Sequence, residues 1–201
     1  MSQNNSSKRN TSDFRSVITG PNCAGKSTYM KALALITILA HMGSYVPAED
    51  AFIPLRDRLL TRFGTSDDME ENASTFKVEM AETSFILETC SPRSLVLIDE
   101  LGRGTSSDEG FAIAWSISEE LISRRAYCCF ATHYHDSNAL AKLYPNARCY
   151  HMSAVAGTTY MRFRYKLSDG PFPMIDMYGI KTAKLCGLPL EVIEEAEQIY
   201  R

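Results

Sequence analysis

The chain has 201 residues, 45% of them hydrophobic and 22% charged, with a formal net charge of -3. That length suits one well-filled domain with a small appendage, and the composition is that of a globular protein. The acidic balance excludes a basic field able to grip a DNA backbone unaided, and no apolar run reaches membrane-spanning length.

The amino terminus (MSQNNSSKRN) is polar throughout, without the apolar core of a secretory signal, so residues 1–13 read as a disordered leader and an intracellular compartment is the default. The six cysteines show no CxxC pairing and no partnered histidine spacing, which favours reduced, mostly buried thiols. Arg15 to Thr19 is a short β-branched run that predicts a buried strand ending at Gly20. From Ser27 the pattern turns helical, with Met30, Leu33, Ala34, Ile38 and Met42 at helical spacing and Gly43 as terminator.

Between these two elements lies Gly20-Pro21-Asn22-Cys23-Ala24-Gly25-Lys26-Ser27-Thr28, which fits G-x-x-x-x-G-K-[ST]. Glycines there let backbone N–H groups converge on phosphate oxygens, and the helix N-terminus adds a favourable partial charge. Lys26 is placed to neutralise the β- and γ-phosphates of ATP, and the Ser27 hydroxyl to ligate Mg²⁺. Cys23 lies inside the loop, where alkylation would obstruct nucleotide.

A strand is expected around Leu59 to Phe63, then an acidic loop from Gly64 to Asn72. A helix follows, capped by Ser74 or Thr75, with Phe76, Met80, Thr83, Ser84 and Leu87 on one face. Past Pro92 the apolar run Leu95 to Ile98 delivers Asp99 and Glu100 at its carboxyl end, where ligands of open α/β sheets bind. Asp99 suits Mg²⁺, and Glu100 suits the polarisation of an attacking water. A helix from about Glu109 to Ser123 leads to the strand Tyr127 to Ala131 and then His133, a candidate to reach the γ-phosphate or the lytic water. His41, His135 and His151 read as surface residues.

Tyr160 to Leu167 suggests a further strand, and Gly170-Pro171-Phe172-Pro173 breaks the chain. Two helices flank Gly187-Leu188-Pro189, the second carrying the stripe Val192, Ile193, Ala196 and Ile199. Alternating strands and helices predict an α/β fold with a mainly parallel sheet covered by helices, followed by a short C-terminal helical segment. The expected division is a leader over 1–13, a phosphate-loop ATPase domain over 14–170 and C-terminal helices over 171–201. The last helix reaches Arg201 without a stop signal, as a fragment would.

GPNCAGKST, the Ser74-Thr75-Phe76 segment running to Glu79-Met80, DELGRGTSSDEG (99–110) and ATHYHD (131–136) resemble the MutS family of ATPases, as does Tyr178-Gly179-Ile180 with the Ala183 to Pro189 stretch. The likeness covers residue 16 to the end. It implies an ABC-type fold working as a head-to-head pair with a second MutS-family subunit, a heterodimer. Ser74 would then reach the nucleotide held by the partner, and 101–106 would run along the dimer contact. It implies ATP and Mg²⁺ as cofactors, a role in mismatch repair or meiotic recombination, and DNA contact through domains absent from this chain. No membrane is involved, and the location would be the nucleus if eukaryotic and the cytoplasm otherwise. Cys23-Ala24 departs from the family's usual loop, and the family's upstream adenine-seating segment and downstream dimerisation element are missing. The segments 43–49 and 67–73 look like the eukaryotic meiotic branch, MutS homologue four, whereas 111–120 equally resembles the repair branch. A truncated nucleotide-binding fragment with little turnover is the alternative. Another ABC family would carry an LSGGQ-type signature, which this sequence lacks.

Overall fold

The computed structural model describes residues 15–64, 75–156, 161–173 and 177–200. In chain order the elements are β1 (Arg15–Thr19), α1 (Lys26–His41), β2 (Leu59–Arg62), α2 (Thr75–Thr89), β3 (Leu95–Asp99), α3 (Ser107–Ser123) and β4 (Tyr127–Ala131). A 3-10 turn (His135–Ala139), α4 (Leu140–Leu143), β5 (Ala147–Ala156), β6 (Met161–Asp169), α5 (Tyr178–Leu185) and α6 (Leu190–Tyr200) follow. The strands form a single sheet in the order β2-β3-β4-β1-β5-β6. All pairs are parallel except the last, where β6 returns antiparallel to β5.

A parallel sheet must bury both faces, so its strands read as continuous apolar runs rather than as alternating ones. The side chains still part by the period of two. Val96, Ile98, Cys128 and Phe130 point to one face, against Ile86 of α2 and Ala114 and Leu121 of α3. Leu95, Leu97, Cys129 and Ala131 point to the other, against Met30 and Ala34 of α1 and Met152 of β5. A smaller cluster of Ile122, Leu140 and Ala147 closes the side below α3 and α4.

The expected α/β architecture is present, with several departures. Strand β5 was not expected, because Ala147-Arg148-Cys149-Tyr150-His151 lacks a β-branched run. It exists because β1 offers it a full parallel ladder from Arg15 opposite Ala147 to Thr19 opposite His151. The turn and short helix over 135–143 were likewise not anticipated. Helix α3 starts two residues early because the Ser106 hydroxyl accepts the Glu109 N–H and caps it. The buried face of α2 is Glu79, Thr83 and Ile86, and Ser84 is exposed. Ile38 and Met42 of α1 are exposed as well, and of the α6 stripe only Ile193 is buried. Helical spacing alone did not tell which apolar residues meet the sheet.

Phe130, fully buried at the centre of the sheet, tests this packing. Phe130→Ala should lower unfolding free energy by about 3–5 kcal/mol through lost transfer energy and an unfilled cavity. Urea denaturation measures it; a loss within about 1 kcal/mol would mean that β4 is not the core strand described.

Candidate nucleotide site

Strand order does the assembly. β4 lies between β1 and β3, so the carboxyl ends of the three neighbouring strands deliver Gly20–Thr28, Asp99–Glu100 and Thr132–His133 to one rim of the sheet. Two backbone bonds continue the ladder past the strands: Glu100 N–H to the Ala131 carbonyl (2.9 Å) and Thr132 N–H to the Ile18 carbonyl (3.1 Å). They fix the height at which the three segments leave the sheet. The resulting cleft, about 340 Å³, is lined by the loop from Asn22 to Thr28 together with Glu100, Arg103 and Tyr165.

The loop closes on its own lysine. Gly25 at φ 97° provides the left-handed residue from which α1 starts, and Lys26 is the first residue of that helix. The Lys26 side chain is buried and folds back so that Nζ donates to the carbonyls of Gly20 (2.8 Å) and Pro21 (3.2 Å). The same ammonium lies 3.2 Å from Glu100 Oε1. Glu100 Oε2 is 2.8 Å from the half-exposed Arg103 guanidinium. Glu100 itself adopts a left-handed conformation (φ 51°), a placement that costs a non-glycine residue about 1–3 kcal/mol and recurs at functional sites.

Asp99 behaves differently. Its residue is 8% exposed, and its Oδ1 has no hydrogen-bond partner. Burial pushes its carboxyl above the ordinary carboxylate range; the Ser27 hydroxyl, by hydrogen bonding, opposes this, and the neighbouring Glu100 charge reinforces it. A buried carboxylate oxygen without a partner, next to a hydroxyl, is the donor set that a hard divalent cation takes. Among the described residues no cluster of three His, Cys, Asp or Glu exists, so such a cation would rely on ligand phosphates and water for its remaining contacts. A second cleft of about 380 Å³ adjoins on the α2 side of Asp99 and reaches Arg62, Thr75 and Glu79.

The structure therefore brings Gly20 to Thr28, Asp99, Glu100 and His133 to one rim. His133 is exposed, with its ring 4.1 Å from that of Tyr134. Ser74 lies outside the described residues; α2 begins at Thr75, immediately after it. Sequence reasoning missed Tyr165. It stands on β6 in a left-handed conformation (φ 53°), two-thirds exposed, with its ring over the loop: a Cβ at Gly25 would lie 3.1 Å from Tyr165 Cδ1. Nothing in the strand pattern of Met161 to Asp169 marks that residue. Two histidines read as surface also hold structure. His41 is exposed, yet its Nε2 accepts the Arg56 N–H and its Nδ1 faces the Thr37 carbonyl. His151 is half-buried, with Nδ1 3.0 Å from the Gly170 carbonyl. All six cysteines are free, and Cys23 is exposed on the loop. A separate cavity of about 290 Å³ opens at the opposite ends of the strands, near Tyr29, Phe52 and Tyr127, away from these groups. No described helix is long and apolar enough to cross a membrane.

Comparison with known proteins follows the same residues. The family model described as MutS domain V matches residues 16–201. The DNA mismatch repair protein MutS of Solibacter usitatus (strain Ellin6076) is 44% identical over 192 residues, which cover 95% of this chain and 22% of that protein. The DNA mismatch repair protein MSH4 of Arabidopsis thaliana is 45% identical over 185 residues, 92% of this chain and 23% of that protein. The chain thus spans less than a quarter of the length of these curated relatives.

Asp99 gives a pH test with a definite sign. Folding raises its pKa, so the native state holds the proton more tightly than the unfolded chain does. The metal-free fold therefore loses stability through this group as pH rises from the ordinary carboxylate range through the raised value. Asp99→Asn, which cannot ionise, should melt above the unsubstituted chain by a margin that grows as pH rises from the ordinary carboxylate range through the raised value, and Mg²⁺ should shrink that margin. A margin independent of pH and of Mg²⁺ would contradict the assignment.

Proposed function

Because the chain belongs to the MutS family, matching its domain V over residues 16–201, we propose that it is the ATP-binding and ATP-hydrolysing module of a protein of DNA mismatch repair or meiotic recombination. The observation that carries the reading is a buried lysine in the cleft at the strand ends, with a partnerless buried carboxylate oxygen of Asp99 in the cleft that adjoins it. One group suits phosphate charge and the other suits the cation that accompanies it.

In this reading the amides of Gly20 to Thr28 cradle the phosphates, and Lys26 exchanges one of its present acceptors for phosphate oxygens. Glu100 is the acceptor it can give up, because the two loop carbonyls belong to the lysine's own turn. ATP would thereby release Glu100 from half of its neutralisation and leave it to take a proton from the attacking water. Ser27 and Asp99 would hold Mg²⁺, which when bound draws charge from the β- and γ-phosphates. His133 would stand near the γ-phosphate, and Tyr165 would offer the nucleobase an aromatic face. Ser74 would act on the nucleotide of a second MutS-family subunit, and DNA would be met by domains beyond this chain. The resemblance of 43–49 and 67–73, together with the likeness to MSH4, supports a meiotic branch and a nuclear setting; the similar identity to the bacterial MutS supports the repair branch equally.

One observation favours a second reading, a nucleotide holder of little turnover: both oxygens of Glu100 are engaged, one by Lys26 and one by Arg103. Sizing chromatography with ATP beside a phosphate-release assay separates the two. A strict monomer without turnover supports the second.

The division of roles gives two sharper expectations. Lys26→Ala should weaken ATP binding at least about 100-fold, whereas Glu100→Gln should leave binding within about 3-fold and lower turnover about 100-fold. Equal losses of affinity in both, read by calorimetry, would contradict these roles. Tyr165→Ala should weaken ATP about 5- to 30-fold but leave inorganic triphosphate binding unchanged, as loss of base stacking requires. An equal effect on triphosphate would place Tyr165 on the phosphates instead.

A further inference from the structure

The loop that follows Glu100 is held at Gly102, through both peptide groups that flank its Cα. Gly102 adopts φ 90°; its N–H donates to Glu79 Oε1 (3.2 Å), and its carbonyl accepts the Tyr134 hydroxyl (3.2 Å). Only Leu101, fully buried, separates Gly102 from Glu100, so the short run has little slack. Gly102 also lies against α3. A Cβ on Gly102 would come 2.7 Å from the Gly110 carbonyl oxygen, and one on Gly110 would strike both the Tyr134 hydroxyl and the Gly102 carbonyl. Two residues on, a Cβ at Gly104 would lie 2.7 Å from Phe76 Cβ, so α2 presses on the loop there as well.

Both side chains in this arrangement, the Glu79 acceptor and the Tyr134 donor, are themselves fixed. Glu79 is 4% exposed and is paired at 3.4 Å with Arg62, which ends β2 and also reaches Glu82 at 3.0 Å. Tyr134 adjoins His133, and its ring meets Phe111 of α3 edge-on. Burial, reinforced by the Glu79 charge, raises the Tyr134 phenol above its ordinary value, so it stays an O–H donor across the neutral range. A buried carboxylate and a half-buried phenol that converge on one glycine are more than packing demands, since each carries a desolvation cost that its hydrogen bond helps to offset.

Resting on the ATPase reading above, we propose that Glu79 and Tyr134 are positioning residues that clamp Gly102 at the two peptide groups flanking its Cα and thereby set the Glu100 carboxylate. The clamp ties the place of the general base to α2, which begins next to Ser74, and to the segment that carries His133. Nucleotide contacts made by either segment then reach Glu100 through two hydrogen bonds rather than through the sheet. ATP binding, which uses the loop at 20–28, does not pass through the clamp, so its loss touches turnover and leaves affinity alone.

The test compares the 201-residue chain with Tyr134→Phe, Glu79→Ala and Glu79→Gln. Glu79→Ala removes the buried one of Arg62's two carboxylate partners and is the harsher change; Tyr134→Phe removes one oxygen and keeps the test independent of folding. Three quantities are read: affinity for a fluorescent ATP analogue, turnover, and amide exchange over 101–106. Affinity should stay within about 2-fold, while turnover falls about 10-fold for Tyr134→Phe, in line with the sensitivity of catalysis to small misplacements. Exchange at 101–106 should accelerate about 10-fold and exchange over β3 should not. Glu79→Gln, which keeps an acceptor for the Gly102 N–H, should recover most of the turnover lost in Glu79→Ala. Unchanged exchange in Tyr134→Phe would overturn the clamp. Faster exchange with unchanged turnover, or parallel losses of affinity and turnover, would overturn its positioning role. Absence of turnover in the unsubstituted chain would sink the proposed function and the positioning role with it, while exchange would still decide the clamp.

Discussion

A lysine ammonium that is 5% exposed is an expensive thing to place in a fold, and much of the site follows from how Lys26 is accommodated. An ammonium taken out of water needs its donors met and its charge opposed. The carbonyls of Gly20 and Pro21 supply two acceptors, which forces the loop to curl back over its own helix. Glu100 supplies the opposing charge, and it reaches Lys26 from a left-handed backbone just past the end of β3, two strands away from β1. The strained conformation, the curled loop and the turn after β3 are three consequences of one buried charge.

That charge can be met only because of the sheet's connectivity. β1, β3 and β4 are adjacent in space though separated in sequence by other elements, and being parallel they release their following loops on one side. Ligand-binding groups gather at the carboxyl ends of such strands for this reason. The acidic pair illustrates how one strand end can hold two chemically different carboxylates. Asp99 keeps the strand's alternation and points into the protein, where burial raises its pKa. Glu100 leaves the strand by a change of backbone hand and meets two cations.

Much of this was legible in the sequence because the informative residues are contiguous. A phosphate loop, an apolar strand ending in Asp-Glu, and a strand ending in Thr-His each announce both an element and a group at its end. What the sequence hid is cooperation between distant segments. Glu79 and Arg62 belong to residue types seldom buried, and they are buried as a pair, across an acidic connection that gives no sign of it. Tyr165 sits in a strand that looks ordinary, and its place over the loop goes with a backbone angle that its neighbours do not encode. β5 is a strand by virtue of β1's free side rather than of its own propensity. Ser74 falls among the residues not described, so its reading still rests on family resemblance.

The left-handed residue on β6 has one more consequence, unconnected with nucleotide. β2 and β6 occupy the two open margins of the sheet. An unpaired strand edge is a template on which another chain can add, and long flat edges invite fibrils. β2 is only four residues long and carries the paired Arg62 charge at its end. β6 is longer, but Tyr165 breaks its extended geometry midway, its pairing with β5 shifts register nearby, and Arg162, Arg164 and Lys166 flank the break. A distortion that serves the cleft on one side thus blunts the sheet as a seed for aggregation on the other.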